Sequence, residues 1–190
     1  MHELILGGQK SGKSRRAEQL AQKWLQAHTS HEAVLIATAQ PWDDEMRQRI
    51  ARHQQDRAVR VPGLRTLEEP LQLAHAIRAH SNASRLLVVD CLTLWLTNWL
   101  MPHADADAAS GEASAGLQLP ARAALMTAIA QAPGPLILVG NEIGLGVIPL
   151  GHQVRGFVDA LGLLNQQVAQ ACSRVTLMVA GLPLTLKADA

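Results

Sequence analysis

Residues Gly7–Ser14 read GGQKSGKS and satisfy GxxxxGK[ST], the pattern of a loop that wraps phosphate oxygens in backbone N–H donors. An apolar run, Leu4–Leu6, precedes it, and Ala17, Leu20, Ala21, Trp24 and Leu25 recur at near-helical spacing after it. Strand, glycine turn and helix in that order dictate a phosphate cradle, because the helix offers the positive end of its dipole to the anion. Gly7, Gly8, Gln9, Lys10, Ser11 and Gly12 supply the cradle, Lys13 reaches the β and γ phosphates, and the Ser14 hydroxyl is a ligand for Mg2+. The bland alternative is an ordinary glycine turn.

The rest of the chain repeats the alternation. A strand is predicted at Ala33–Thr38, then a helix from about Asp43, where Asp43, Asp44 and Glu45 suit a first turn. Met46, Ile50 and His53 share one face of that helix. Next come a helix from Glu68 to about His80, a strand at Arg85–Asp90, and a short apolar helix ending near Pro102. Residues 103–116, rich in Ala, Asp, Ser and Gly, have the composition of a mobile surface loop. A helix to about Ala132, a strand at Leu136–Val139, the glycine-rich segment Gly140–Gly151, a helix to about Cys172 and a strand at Val175–Ala180 complete the chain. Strands this apolar need both sheet faces covered. The expectation is α/β: one three-layer phosphate-loop NTPase (RecA-like) domain over residues 1–190, with a mainly parallel sheet.

Composition removes other classes. Seventeen Lys and Arg face sixteen Asp and Glu, no tract of like charges long enough for a polyanion-binding tail occurs, and one Phe, four Trp and no Tyr leave no stacking platform. Nucleic acid is therefore not an expected partner. The most apolar run, Leu86–Met101, falls short of the roughly 20 residues of a membrane span and carries Asp90 and Asn98. The N-terminus lacks the basic region and long apolar stretch of a secretory signal, so a cytoplasmic location is expected. Cys91 and Cys172, far apart in apolar surroundings, read as reduced core thiols.

A phosphate loop needs a second anion near the metal. Asp90, ending RLLVVD, is the candidate, with a helix N-cap as the alternative.

Further segments match a known family. IATAQPWDDEMRQRIARHQQDR (36–57), VVDCLTLWLTNWL (88–100), GNEIGLGVIP (140–149), LLNQQVA and VAGLPLTLK, in this order behind the phosphate loop, resemble the bifunctional adenosylcobinamide kinase/adenosylcobinamide-phosphate guanylyltransferase of cobalamin biosynthesis. The resemblance spans nearly the whole chain. It implies phosphorylation of adenosylcobinamide by ATP or GTP, then transfer of GMP from GTP through a histidine–GMP intermediate, giving adenosylcobinamide-GDP. The histidine of RIxxHxxxR matches His53, which is chemically sensible because a neutral imidazole nitrogen is a competent nucleophile at phosphorus. Without the family, a histidine on this face is an ordinary half-buried packing residue.

By position, the resemblance implies nucleotide contacts at the phosphate loop, at Thr38, Ala39 and Gln40, at Gln54, Gln55, Asp56 and Arg57, and at Glu68 and Asp90. Glu68 is alternatively an acidic residue at a helix start, and Gly140–Gly151 either lines the active site or is a glycine-rich turn. Guanine preference has no motif of its own, so GTP enters through the resemblance alone. The family also implies a homotrimer, to which a helix face with Trp95 and Trp99 offers a contact unless that face is core. One departure stands out: Leu150 and Gly151 occupy the place where the family usually carries an acidic residue. Two other readings predict different chemistry. A phosphate-loop kinase of another small alcohol would form no GMP adduct, and a nucleotide-dependent switch would hydrolyse at most.

Overall fold

A computed structural model describes residues 1–101 and 111–188, with the side chains of 111–118 excepted. Its elements are β1 (His2–Gly7), α1 (Lys13–Ala27), β2 (Glu32–Ala37), α2 (Asp44–Arg60), β3 (Leu64–Glu68), α3 (Leu73–His80), β4 (Arg85–Asp90), α4 (Leu92–Leu100), α5 (Gly111–Gln131), β5 (Leu136–Val139), α6 (His152–Ala171), β6 (Arg174–Val179) and β7 (Leu182–Lys187). Of the loop expected at 103–116, residues 103–110 lie outside the described residues, and α5 takes up the chain at Gly111.

The strands form one sheet in the order β3-β2-β4-β5-β1-β6-β7, parallel except for β7. Successive side chains of a strand point to opposite faces, and both faces of the central strands are apolar. Leu4, Val34, Val89 and Leu138 face a core closed by Ile77 of α3, Leu92 and Trp95 of α4, Leu125 and Ile129 of α5, and Leu161 and Leu164 of α6. Ile5, Leu35, Val88 and Ile137 face the other way, onto Ala17 and Ala21 of α1. The expected three layers are therefore present. Trp95 is core, and its indole N–H donates to Leu71 O, so it offers no face to a second copy. Cys91 and Cys172 are free, buried thiols, as expected.

Two strands escape the sequence pattern. Residues 64–68, expected to lead into a helix, are the edge strand β3, and α3 begins only at Leu73, beyond Pro70. Glu68 therefore ends a strand rather than starting a helix; the turn into α3 is held instead by Glu69, whose carboxylate accepts from Leu71 N and Gln72 N. At the other edge, Ala180 and Gly181 both take positive φ and turn β6 back into antiparallel β7.

α2 stands apart. Asp43 caps it, its carboxylate accepting from Met46 N, with Asp44 and Glu45 in the first turn and Arg57 and Arg60 in the last. Arg57 is its one buried residue.

Candidate active site

Parallel register brings the carboxyl ends of the strands to one edge. Ala37 pairs with both Glu68 and Asp90, Asp90 with Val139, and Val139 with Ile5, two residues before Gly7. Open α/β sheets bind ligands along such an edge.

The phosphate loop turns on Gly7, at φ +152°, where an added Cβ would lie 2.5 Å from Met178 O and 2.6 Å from Ser11 Oγ. Only hydrogen fits there. Ser11 N donates to Gly8 O, Gly181 N at the tip of the β6–β7 turn donates to Ser11 O, and α1 starts at Lys13 with the N–H groups of its first turn facing the loop. The Lys13 ammonium folds over the loop and donates to Gly8 O at 2.6 Å. Burial pulls its pKa below the ordinary lysine value, while the Asp90 carboxylate opposes the shift. Ser14 is partly exposed one residue further along α1.

Asp90 ends β4 half-buried, and the N-cap of α4 is Cys91, whose Sγ accepts from Leu94 N. The capping role considered for Asp90 is thus filled by its neighbour. Among the described residues none hydrogen-bonds the Asp90 carboxylate, which stays in electrostatic reach of Lys13. Ser14 and Asp90 offer hard oxygen donors beside the cradle, a set that fits Mg2+.

Thr38 belongs to the scaffold of the edge. It is fully buried, and its hydroxyl donates to Cys91 O and accepts from Cys91 N, so its side chain is not offered to a ligand. Asn98, buried in α4, donates to Thr38 O and Pro70 O and ties this edge to the start of α3. The sequence marks Asn98 only as a polar interruption of the apolar run LTLWLTNWL, and its bracing role emerges from the fold. Ala39 and Glu68 line a cleft of about 200 Å³ with Ile50 and Gln54 of α2, and Gln54 Nε2 donates to Glu68 Oε1. Gln40 follows, half-buried.

His53 is exposed on α2, so it is not a half-buried packing residue. Among the described residues no hydrogen bond joins it to the phosphate loop. Gln55 is exposed beside it, and Asp56 lies 3.9 Å from Arg60. Arg57 is taken by the protein: it donates to Thr66 Oγ1 and stands 3.7 Å from Glu18 of α1, which also meets Arg60 at 3.0 Å. Arg57 therefore anchors α2 and presents no free guanidinium to a phosphate. Glu18 was missed because a buried carboxylate on an amphipathic helix leaves no trace in spacing.

The start of the segment Gly140–Gly151, residues 140–142, is pinned beside the loop. Gly140 N donates to Ile5 O, Glu142 N to Gly7 O at 3.0 Å, and Asn141 N to Thr93 Oγ1, while Asn165 of α6 donates to Asn141 O. It is at once a turn and a wall of the site.

Fold and edge together define a nucleotide-binding protein of the phosphate-loop NTPase class. Solved structures agree on the fold: the flagellar accessory protein FlaH of Methanocaldococcus jannaschii superposes with TM-score 0.51 at 12% identity, over 99% of this chain and 78% of its own. A Pyrococcus horikoshii protein does so with TM-score 0.53 at 8% identity, over 98% and 86%. Residues 3–186 match the family described as cobinamide kinase/cobinamide phosphate guanyltransferase, CobU, and the chain belongs to that family. It is 49% identical over 189 residues to the bifunctional adenosylcobalamin biosynthesis protein CobP of Pseudomonas aeruginosa, covering 100% of this chain and 99% of the relative. To CobU of Escherichia coli it is 34% identical, covering 97% and 98%.

Proposed function

We propose that this chain phosphorylates the hydroxyl of adenosylcobinamide with ATP or GTP and then transfers GMP from GTP to the new phosphate. The observation that carries the reading is the juxtaposition, in a member of this family, of an intact phosphate loop, a carboxylate at Asp90 that no described residue hydrogen-bonds, and residues 140–142 pinned beside the loop. In the first reaction the loop N–H groups and Lys13 hold the triphosphate, and the acceptor oxygen attacks the γ phosphorus as the nucleoside diphosphate leaves. Ser14 and Asp90 would hold Mg2+, which would supply charge neutralisation on the phosphate oxygens. In the second, a ring nitrogen of His53 bonds the α phosphorus and pyrophosphate departs. The acceptor phosphate oxygen then displaces the imidazole, giving adenosylcobinamide-GDP. The exposure of His53 suits a nucleophile that must meet two substrates in turn. A cytoplasmic homotrimer is the setting proposed for both reactions.

Incubation with Mg2+ and GTP labelled on the α phosphate should leave an acid-labile, alkali-stable GMP adduct, lost in His53→Ala while ATP-dependent phosphorylation of adenosylcobinamide persists. An adduct that survives His53→Ala sinks the histidine assignment. Absence of any adduct, with GTP bound, leaves a plain kinase.

A further inference from the structure

Beyond the phosphate loop, the segment Gly140–Gly151 and α6 enclose a second, wider groove of about 550 Å³, within the size range of small-molecule sites. Val147, Ile148 and Pro149 line one side and Val158 and Leu163 the other, with Arg155, Asp159 and Gln166 of α6 as the polar members. Val147 is 96% exposed, and an apolar surface this open beside an active edge calls for a covering partner. The floor is flat where α6 passes Gly162, above which a Cβ would meet nothing within 4 Å. Asp159 places a carboxylate in the lining, whereas the charge of Arg155 is turned onto Pro149 O and Leu150 O. The segment that lines the groove is tied to the phosphate loop, because Glu142, one residue before Ile143 of the lining, donates its N–H to Gly7 O.

We infer that this groove seats the corrin ring of the acceptor, leaving its hydroxyl-bearing arm to extend along residues 140–142 to the phosphate loop. The inference rests on the function proposed above and names the acceptor's subsite. The chemistry of the two surfaces matches. A corrin presents a broad, largely apolar face, and an alkylated cobalt(III) corrin carries net positive charge, which the Asp159 carboxylate complements. The other cleft, against α2, is less than half as large, too small for such a face.

The test is Gly162→Leu, which fills the floor from the exposed side of a helix where the added side chain has open space and replaces a poor helix former. Equilibrium dialysis against adenosylcobinamide, read by its visible absorption, should show binding weakened about tenfold or more, with KM for the corrinoid rising in parallel. GMP adduct formation, which needs no acceptor, reports that fold and nucleotide site are intact, and size-exclusion chromatography reports the assembly. Asp159→Asn should weaken corrinoid binding without altering the apolar wall. Unchanged corrinoid binding in Gly162→Leu overturns the inference, as does weakened binding accompanied by loss of assembly, which would make the groove a contact between copies. A parent chain that forms the GMP adduct yet neither binds nor phosphorylates adenosylcobinamide refutes the proposed function itself, and the subsite with it.

Discussion

Replacing Glu18 with Ala tests whether buried charge holds the His53-bearing helix in place. Glu18 stands 3.7 Å from Arg57 and 3.0 Å from Arg60, with side-chain exposures of 5%, 9% and 35%. Burial lifts the Glu18 carboxyl above the usual range, against the pull of Arg60 and Arg57. Its ionised form is therefore disfavoured by burial, and the two arginines offset only part of that cost, so the main loss on deletion comes from the arginine charge left behind. Without Glu18, Arg60 can turn to water, but Arg57 is left charged and enclosed. Breaking a buried pair by removing one partner costs about 3–5 kcal/mol, and the openness of Arg60 argues for the lower end, about 3 kcal/mol. At about 2–4 °C per kcal/mol for a domain of this size, Tm should fall by about 6–12 °C in calorimetry or circular dichroism. Pairing the change with Arg57→Met, which removes the stranded charge, should recover part of the loss. A Tm within about 2 °C of the parent, as for a surface ion pair, would refute the reasoning.

Three further outcomes follow from the same geometry. Gly7→Ala sets a Cβ 2.5 Å from Met178 O at a φ of +152°; backbone must shift, and nucleotide affinity measured by calorimetry should drop at least about tenfold, with about 2 kcal/mol of stability lost. Because burial lowers the pKa of Lys13 below 10.5, its charged form opposes folding, and stability from this group is gained as pH rises from the lowered value toward 10.5. Bound phosphates restore the proton, so nucleotide binding in that alkaline window should take up protons, seen as a dependence of binding heat on buffer ionisation enthalpy and abolished by Lys13→Met. Burial raises Cys91 to about 11 and Cys172 to about 12, so neither thiol should react with a disulfide reagent at neutral pH until the chain unfolds; rapid modification of one equivalent in the folded protein would contradict this.

How much of the fold is legible in the sequence depends on how local its cause is. β1, β2, β4 and β5 are continuous apolar runs because both faces of a central parallel strand are buried, and their expected positions agree with the structure to within a residue or two. β3 and β7 lie at the sheet edges, where this logic fails. LRTLE buries no residue fully, and LPLTLK is exposed throughout and contains a proline, which reads as a break although an edge strand tolerates it. Their pairing is dictated by neighbours distant in sequence. The start of α3 was misplaced for a related reason, since RTLEE carries helix-start acids whose second member, Glu69, caps the turn after a strand.

The site divides in the same way. Eight consecutive residues make the phosphate cradle, so its chemistry is written locally, and Lys13 and Asp90 follow from it. Arg57 shows the limit: one turn beyond His53 it reads as a phosphate ligand, yet Glu18, thirty-nine positions earlier, claims it. Leu150 carries the point into the acceptor side. An acid at 150 would stand next to the Arg155 guanidinium, but here Arg155 donates to the carbonyls of Pro149 and Leu150, and the Leu150 side chain is 96% exposed. The substitution leaves the phosphate loop, Asp90 and His53 untouched and extends apolar surface beside the groove. On the proposed assignments its effect would fall on how the acceptor is held, while Lys13, Asp90 and His53 stay in place.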